Sequence, residues 1–193
     1  MSGVRRIVVG ISGASGAVYG VRLLEVLHDR ADVETHLVMS TSAETTIRYE
    51  TGRDPAAVAA LADAVHGERD LAAPLSSGTF LTSGMVIAPC SMRTLSGVAS
   101  SANDTLLVRA ADVHLKERRP LVLVVRETPL HAGHLRLMSE ATASGAVILP
   151  PVPGFYQRPQ TVADVVDYTV GKVLDVLGFH DHELFRRWSG PAG

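Results

Sequence analysis

The sequence predicts an α/β fold, Rossmann-like and three-layered (α/β/α), with a mostly parallel sheet. Three observations carry that expectation. Short apolar runs alternate with segments of helical periodicity along the chain, the signature of βαβ units. Several of those runs are apolar at consecutive positions, as strands covered by helices on both faces must be. The stretches after them are rich in Gly, Ser and Thr, which suit a turn into a helix N-terminus.

The elements follow in order. RRIVVGI (5–11) is the first strand, and AVYGVRLLEVLHDR (17–30) is the helix behind it, with Val18, Val21, Leu24 and Leu27 at helical spacing. VETHLVMS (33–40) is the second strand, followed by a helix over 42–50. DPAAVAALADAV (54–65) reads as a helix with Asp54 as N-cap and Pro55 in its first position. GMVIAP (84–89) is a short buried strand ended by Pro89, and Ser91 with Thr94 opens the next helix. Asp104 is the expected cap of the helix TLLVRAADVHLKE (105–117), and PLVLVVRE (120–127) is a strongly apolar strand. A helix over 131–144 stops at Gly145, AVILPP (146–151) is another strand, and TVADVVDYTVGKVLDVLG (161–178) is the last helix. No repeat or low-complexity linker interrupts this order. A single domain is therefore expected over 1–193, with a C-terminal tail from about 180. In such a doubly wound sheet the ligand crevice lies beyond the carboxyl ends of the strands.

Composition narrows the function classes. The chain has 193 residues, 46% hydrophobic and 20% charged, which suits a globular protein with a substantial core. A net charge of −2 offers no electrostatic footprint for nucleic acid or an anionic membrane. No apolar run approaches the roughly 20 residues of a membrane span, and MSGVRRIVVGISG is too short in its apolar part for a signal peptide. Cys90 is the single cysteine, which excludes an internal disulfide and fits a reducing cytoplasm. His28, His66, His131 and His134 show no metal-ligand spacing, so no metal is expected.

Three stretches bear on chemistry. GISGASGAVYG (10–20) spaces its glycines as Gly10-x-x-Gly13-x-x-Gly16, unlike the dinucleotide pattern G-x-G-x-x-G. The second strand ends in Met39-Ser40-Thr41-Ser42, without the carboxylate that would hold a dinucleotide ribose. No Gly-Lys-Ser/Thr follows, and Gly13-Ala14-Ser15-Gly16-Ala17 lacks the last glycine of a nucleophile elbow. What remains is a turn presenting amides and the Ser12 and Ser15 hydroxyls to a phosphorylated or polar ligand, or else a plain tight connection. APCSMRTLSG (88–97) offers a second such turn, with Cys90 read as a small buried hydrophobe. VVRETPL (124–130) puts Arg126 and Glu127 at a strand's carboxyl end, as a functional pair or a salt bridge. Arg109, Asp112 and Lys116 share one helix face, and PVPGFYQRP (151–159) displays Phe155 and Tyr156 where a lid would sit.

Together GISGASGAVYGVRLLEVL, VETHLVMS, PCSMRTLSG, RAADVHLKERRPLVLVVRETPL and GAVILPPVPGFYQRPQTVADVVDYTVGKVLD resemble the UbiX-type flavin prenyltransferases. The resemblance is strongest to the branch associated with hydroxyarylic and phenolic acid decarboxylases. It implies a single flavoprotein domain, assembled as a dodecamer. The implied reaction joins the dimethylallyl group of dimethylallyl phosphate to N5 and C6 of reduced FMN, for use by a UbiD-type decarboxylase. The resemblance implies FMN contacts at Gly13, Ala14, Ser15, Ser40, Ser91, Met92, Arg93, Thr94 and Arg126. It assigns catalysis to Ser15, Glu50 and Glu127. It gives the substrate phosphate to Arg109, Lys116, Arg126, Tyr156 and Lys172, some of them across a subunit interface. Lys172 stands where the family has an arginine; lysine keeps the charge and loses the bidentate fork.

Two other readings share this fold. An FMN-dependent cysteine decarboxylase would carry a Pro-x-Ser-Ala-Asn-Thr motif, where this chain has Pro89-Cys90-Ser91-Met92-Arg93-Thr94. A non-catalytic FMN-carrier subunit would have no use for paired carboxylates. The pair of Gly/Ser turns without a ribose-binding acid predicts tight FMN binding that NAD does not compete; a flavin titration in which NAD competes equally would overturn it.

Overall fold

Strand β1 (Arg5–Ile11) sets the architecture. Ile7, Val9 and Ile11 enter one hydrophobic cluster and Val8 the other, all fully buried, because alternate side chains of a strand face opposite sides. An apolar strand of this kind needs a layer on each face. The computed structural model, which describes residues 3–190, supplies both.

The chain runs through α1 (Ala17–His28), β2 (Val33–Met39), α2 (Thr41–Thr51), α3 (Pro55–Ala59), β3 (Ala64–His66), β4 (Gly84–Cys90) and α4 (Met92–Ser100). It continues through α5 (Leu106–Lys116), β5 (Leu121–Val125), α6 (Ala132–Ala143), β6 (Val147–Ile148) and α7 (Val162–Val176). The strands form one six-stranded sheet in the order β3-β2-β1-β4-β5-β6. Every pairing is parallel, so the expected mostly parallel sheet is parallel throughout. The order reverses between β1 and β4, the switch point at which this class of sheet opens a crevice. Helices α1 and α7 cover one face through Val21, Leu24, Val166 and Val170; α4, α5 and α6 cover the other through Leu95, Leu107, Ala111 and Ala141. Helix α1 lies against β4, since a Cβ on Gly20 would sit 2.2 Å from the Ala88 carbonyl oxygen. No helix among the described residues is long and apolar enough to cross a membrane.

Several local expectations are corrected. The helix expected over 54–65 stops at Ala59, because Asp63 is captured by β2. The Thr35 N–H and hydroxyl donate to Asp63 Oδ2 at 2.7 and 2.8 Å, and the Asp63 N–H donates back to Thr35 Oγ1 at 3.0 Å. The next residues are then free to pair with His36–Val38 as β3. Thr105, not Asp104, caps α5, its hydroxyl accepting the Val108 N–H at 3.3 Å. Strand β4 passes through Pro89 to Cys90, where a register shift between Ile87 and Cys90 removes the need for a proline N–H. Strand β6 is only two residues, ahead of Pro150 and Pro151. Val18 leaves the buried stripe and is exposed, with Leu23 taking its place in the core.

His114 of α5 is buried beneath the sheet's amino edge. One ring nitrogen lies 2.7 Å from the Ala110 carbonyl and the other 2.8 Å from the Thr82 hydroxyl. Burial lowers its pKa to about 4, so the folded protein holds it neutral. The unfolded chain, with an ordinary histidine, binds the proton first as pH falls, so stability is lost from about pH 6.5 toward pH 4. Thermal melts should show a loss from this group of about 2 kcal/mol by pH 5. His114→Gln should flatten that pH dependence, and an unchanged slope would show that another group sets it.

Candidate active site

Two strand-to-helix turns meet at the switch point, and a buried serine joins them. The Ser12 hydroxyl donates to the Pro89 carbonyl at 2.8 Å and accepts the Ser91 N–H at 2.8 Å, while the Ser12 N–H reaches Pro89 at 3.2 Å. Ser12 is only 1% exposed. Its hydroxyl therefore holds the turns together and does not face a ligand, contrary to the sequence expectation.

Above this stitch lies a cleft of about 330 Å³, lined by Gly13, Ser40, Ser91, Arg93 and Thr94 together with α5 residues. Ser40 and Ser91 are the N-caps of α2 and α4, their hydroxyls accepting the N–H of Ala43 at 3.1 Å and of Thr94 at 3.2 Å. The start of α5, at Asp104, Thr105 and Leu107, lines the same cleft, so the N-termini of α2, α4 and α5 converge on one space with their positive dipole ends. That is an anion site by construction. Gly13 has to be glycine: a Cβ there would sit 2.2 Å from Ser42 Cβ. Five sequence-assigned contacts thus share the cleft. Ala14 and Ser15 continue the same turn, and Met92 packs half-buried beside it.

Glu50, from the last turn of α2, reaches across to the start of α1. Its Oε2 accepts the N–H of Gly16 at 2.8 Å and of Ala17 at 3.1 Å. Partial burial opposes ionisation, but bonds from Ser15, Gly16 and Ala17, with the positive charge of Arg126, hold its carboxyl below the usual range. Glu50 is thus a fixed anion that orients the Ser15 turn. Arg126 follows β5 and is exposed, its N–H bonded to the Cys90 carbonyl at 3.1 Å. Its charge also acts on Tyr19, whose phenol is raised by burial and partly restored by Arg126. Glu127 does not pair with Arg126; its Oε1 accepts the N–H of Thr128 at 2.9 Å. Cys90 is fully buried and its thiol pushed up, which leaves it inert.

The remaining sequence-assigned residues lie elsewhere. Arg109 bonds the Ser76 carbonyl at 3.2 Å and Asp112 at 3.1 Å, and Lys116 pairs with Glu117 at the far end of α5. Neither lines the cleft. Tyr156 sits on a short 3-10 turn (Phe155–Gln157), its hydroxyl 3.2 Å from that of Tyr168, within the electrostatic reach of Lys172. The C-terminal segment folds over this corner, with Trp188 edge-on to Tyr156 at 5.7 Å and Arg187 bonded to Asp175 at 2.8 and 3.1 Å.

Sequence reasoning missed Glu68, which lines the cleft and accepts the Thr41 N–H and hydroxyl at 3.0 and 3.1 Å. It also missed Tyr19 and Tyr168. Tyr19 lay inside the quoted glycine motif; Glu68 and Tyr168 are placed by strand pairing and tail packing that no local pattern announces.

A parallel sheet of this order, with a crevice at its switch point lined by helix starts, defines a doubly wound α/β protein with an anion-binding crevice. Residues 1–174 match the Flavoprotein family. The flavin prenyltransferase UbiX of Escherichia coli K12 is 61% identical over 188 residues, 97% of this chain and 100% of that protein. The structure of AnUbiX (PadA1) with FMN and dimethylallyl pyrophosphate superposes with a TM-score of 0.95 at 53% identity, covering 98% of this chain and 100% of the other. A dodecameric FMN-dependent UbiX-like decarboxylase from Escherichia coli O157:H7 gives 0.93 at 50%, covering 96% and 100%. The chain belongs to the Flavoprotein family, in its UbiX-type flavin prenyltransferase branch.

Glu50→Ala is expected to free the Gly16 and Ala17 amides, speed their hydrogen exchange and cost about 1 kcal/mol. Glu50→Gln, which keeps one acceptor oxygen, should lose less. Unchanged exchange at Gly16 and Ala17 would show that the carboxylate does not hold the turn.

Proposed function

We propose that this chain is a flavin prenyltransferase joining the dimethylallyl group of dimethylallyl phosphate to N5 and C6 of reduced FMN. The observation that carries the reading is the end-to-end match to UbiX relatives, one of them solved with FMN and dimethylallyl pyrophosphate. The site suits FMN on its own terms. Capped helix starts face a cleft that Gly13 keeps open, and no acid at the end of β2 calls for a dinucleotide ribose.

In this reading Gly13, Ala14, Ser15, Ser40, Ser91, Met92, Arg93 and Thr94 bind FMN, and reduced FMN supplies the nucleophile. Arg126 reaches both flavin and donor phosphate. Departure of an allylic phosphate develops negative charge, which Arg126, Tyr156 and Lys172 stabilise; removing one such group typically costs on the order of 100-fold in rate. Arg109 and Lys116, remote from the cleft within one chain, serve the site of a neighbouring subunit in a dodecamer. Glu50 holds Ser15 in place, and Glu127 accepts the proton released at ring closure. The product goes to a UbiD-type decarboxylase in the cytoplasm.

Anaerobic incubation with reduced FMN and dimethylallyl phosphate, and separately with the pyrophosphate, should yield extracted flavin heavier by one five-carbon unit. Bound FMN of unchanged mass with either donor would favour the carrier reading instead. Release of carbon dioxide from a cysteine-ended peptide would favour the decarboxylase.

A further inference from the structure

We propose that Glu68 is a positioning residue for the flavin: its carboxylate fills the anion position at the start of α2, so the flavin phosphate is directed to the start of α4. This rests on the reading of the cleft as the FMN site.

Glu68 follows β3 by two positions, and its two polar ends reach different walls of the cleft. The side chain goes to α2, where Oε2 accepts the Thr41 N–H at 3.0 Å and the Thr41 hydroxyl at 3.1 Å. The main-chain carbonyl goes to α5, where it accepts the Leu106 N–H at 2.7 Å. Thr41 is the first residue of α2 and Leu106 the first of α5. One residue thus takes up the leading amide of two of the three helices that converge on the cleft, and its negative charge lies on the cleft wall.

The third start is left open. In α4 the Ser91 N–H is held by the Ser12 hydroxyl, the Thr94 N–H by the Ser91 hydroxyl and the Leu95 N–H by the Ser91 carbonyl. The Met92 and Arg93 amides between them have no acceptor among the described residues. Arg93 is also the one cationic side chain that lines the cleft among those residues, whereas the acids that line it, Glu68 and Asp104, stand at the starts of α2 and α5. An incoming phosphate therefore meets two free amides and a guanidinium at α4. At α2 it meets an amide already donating to a carboxylate, and the charge of that carboxylate repels it. In the proposed reaction the flavin is a substrate and has to leave as product. A fixed anion in its cleft places the phosphate and also keeps it from being held too tightly, while the ring is unaffected.

Glu68→Gln keeps an oxygen for Thr41 and removes the charge. Fluorescence titration of the apoprotein with oxidised FMN, and with riboflavin, which lacks the phosphate, needs no turnover. FMN should bind the variant about 5-fold more tightly than the wild type, with riboflavin unchanged, and the gain should shrink as salt is raised. Glu68→Ala also vacates the Thr41 amide. Its crystals soaked in inorganic phosphate should hold an anion at Thr41, where wild-type crystals hold one only at Met92 and Arg93. A change of equal size for both flavins, or none for either, would make Glu68 a structural tie between α2 and α5 and overturn the proposal alone. Wild-type protein that binds neither flavin would sink the reading of the cleft as well.

Discussion

The cleft depends on the hydrogen bonds of one buried hydroxyl. Ser12 follows β1, and its side chain ties the carbonyl of Pro89 to the amide of Ser91 at the end of β4. These are the strands between which the order of the sheet reverses. Crossovers that leave in opposite directions from neighbouring strands draw their helices apart, and the gap between them is the crevice. Ser12 keeps the two strand ends in register across that gap. A buried hydroxyl with both its donor and acceptor used is costly to disturb, since either lost bond leaves a polar group unpaired away from water.

Around that stitch the fold repeats one device. Ser40, Ser91, Thr105 and Thr161 each cap a helix with a hydroxyl, which satisfies one amide and leaves others free. Where the helix start faces solvent nothing more follows; where several starts converge, the free amides form an anion site. Carboxylates occupy two of the remaining positions, Glu50 at the start of α1 and Glu68 at the start of α2. Both are helix-dipole partners brought from elsewhere in the chain. Glu50 is therefore bound as an anion before any ligand arrives, a role that sequence assignment to catalysis did not distinguish.

The groups assigned to the substrate phosphate divide differently. Arg126 stands near Ser15 and Glu50, whereas Tyr156 and Lys172 stand beside the C-terminal segment, and Arg109 and Lys116 are held along α5. One chain does not gather all five. Asp175 anchors the segment that shapes the Tyr156 corner, its carboxyl held down to about 2: partial burial opposes ionisation, but Arg187, His180 and His182 outweigh it. That segment packs Phe185 against Tyr168, whose hydroxyl lies 3.2 Å from that of Tyr156.

The sequence by itself determined the layers and the strands that carry them. Apolar runs such as Ile7–Ile11 and Leu121–Val125 are buried on both faces, and that pattern is local. It also determined the caps at Ser91 and Asp54 and the two turns that bound the cleft, because turn and cap chemistry involves residues within a few positions of each other. Only the tertiary structure decided that Asp63 would break the helix expected over 54–65, since its partner Thr35 lies 28 residues away. It alone turned Ser12 inward, set Glu50 on the amides of α1 and brought Tyr168 to Tyr156. Each of those bonds joins groups from different elements, and their distance in space is fixed by how the helices pack on the sheet rather than by any spacing along the chain.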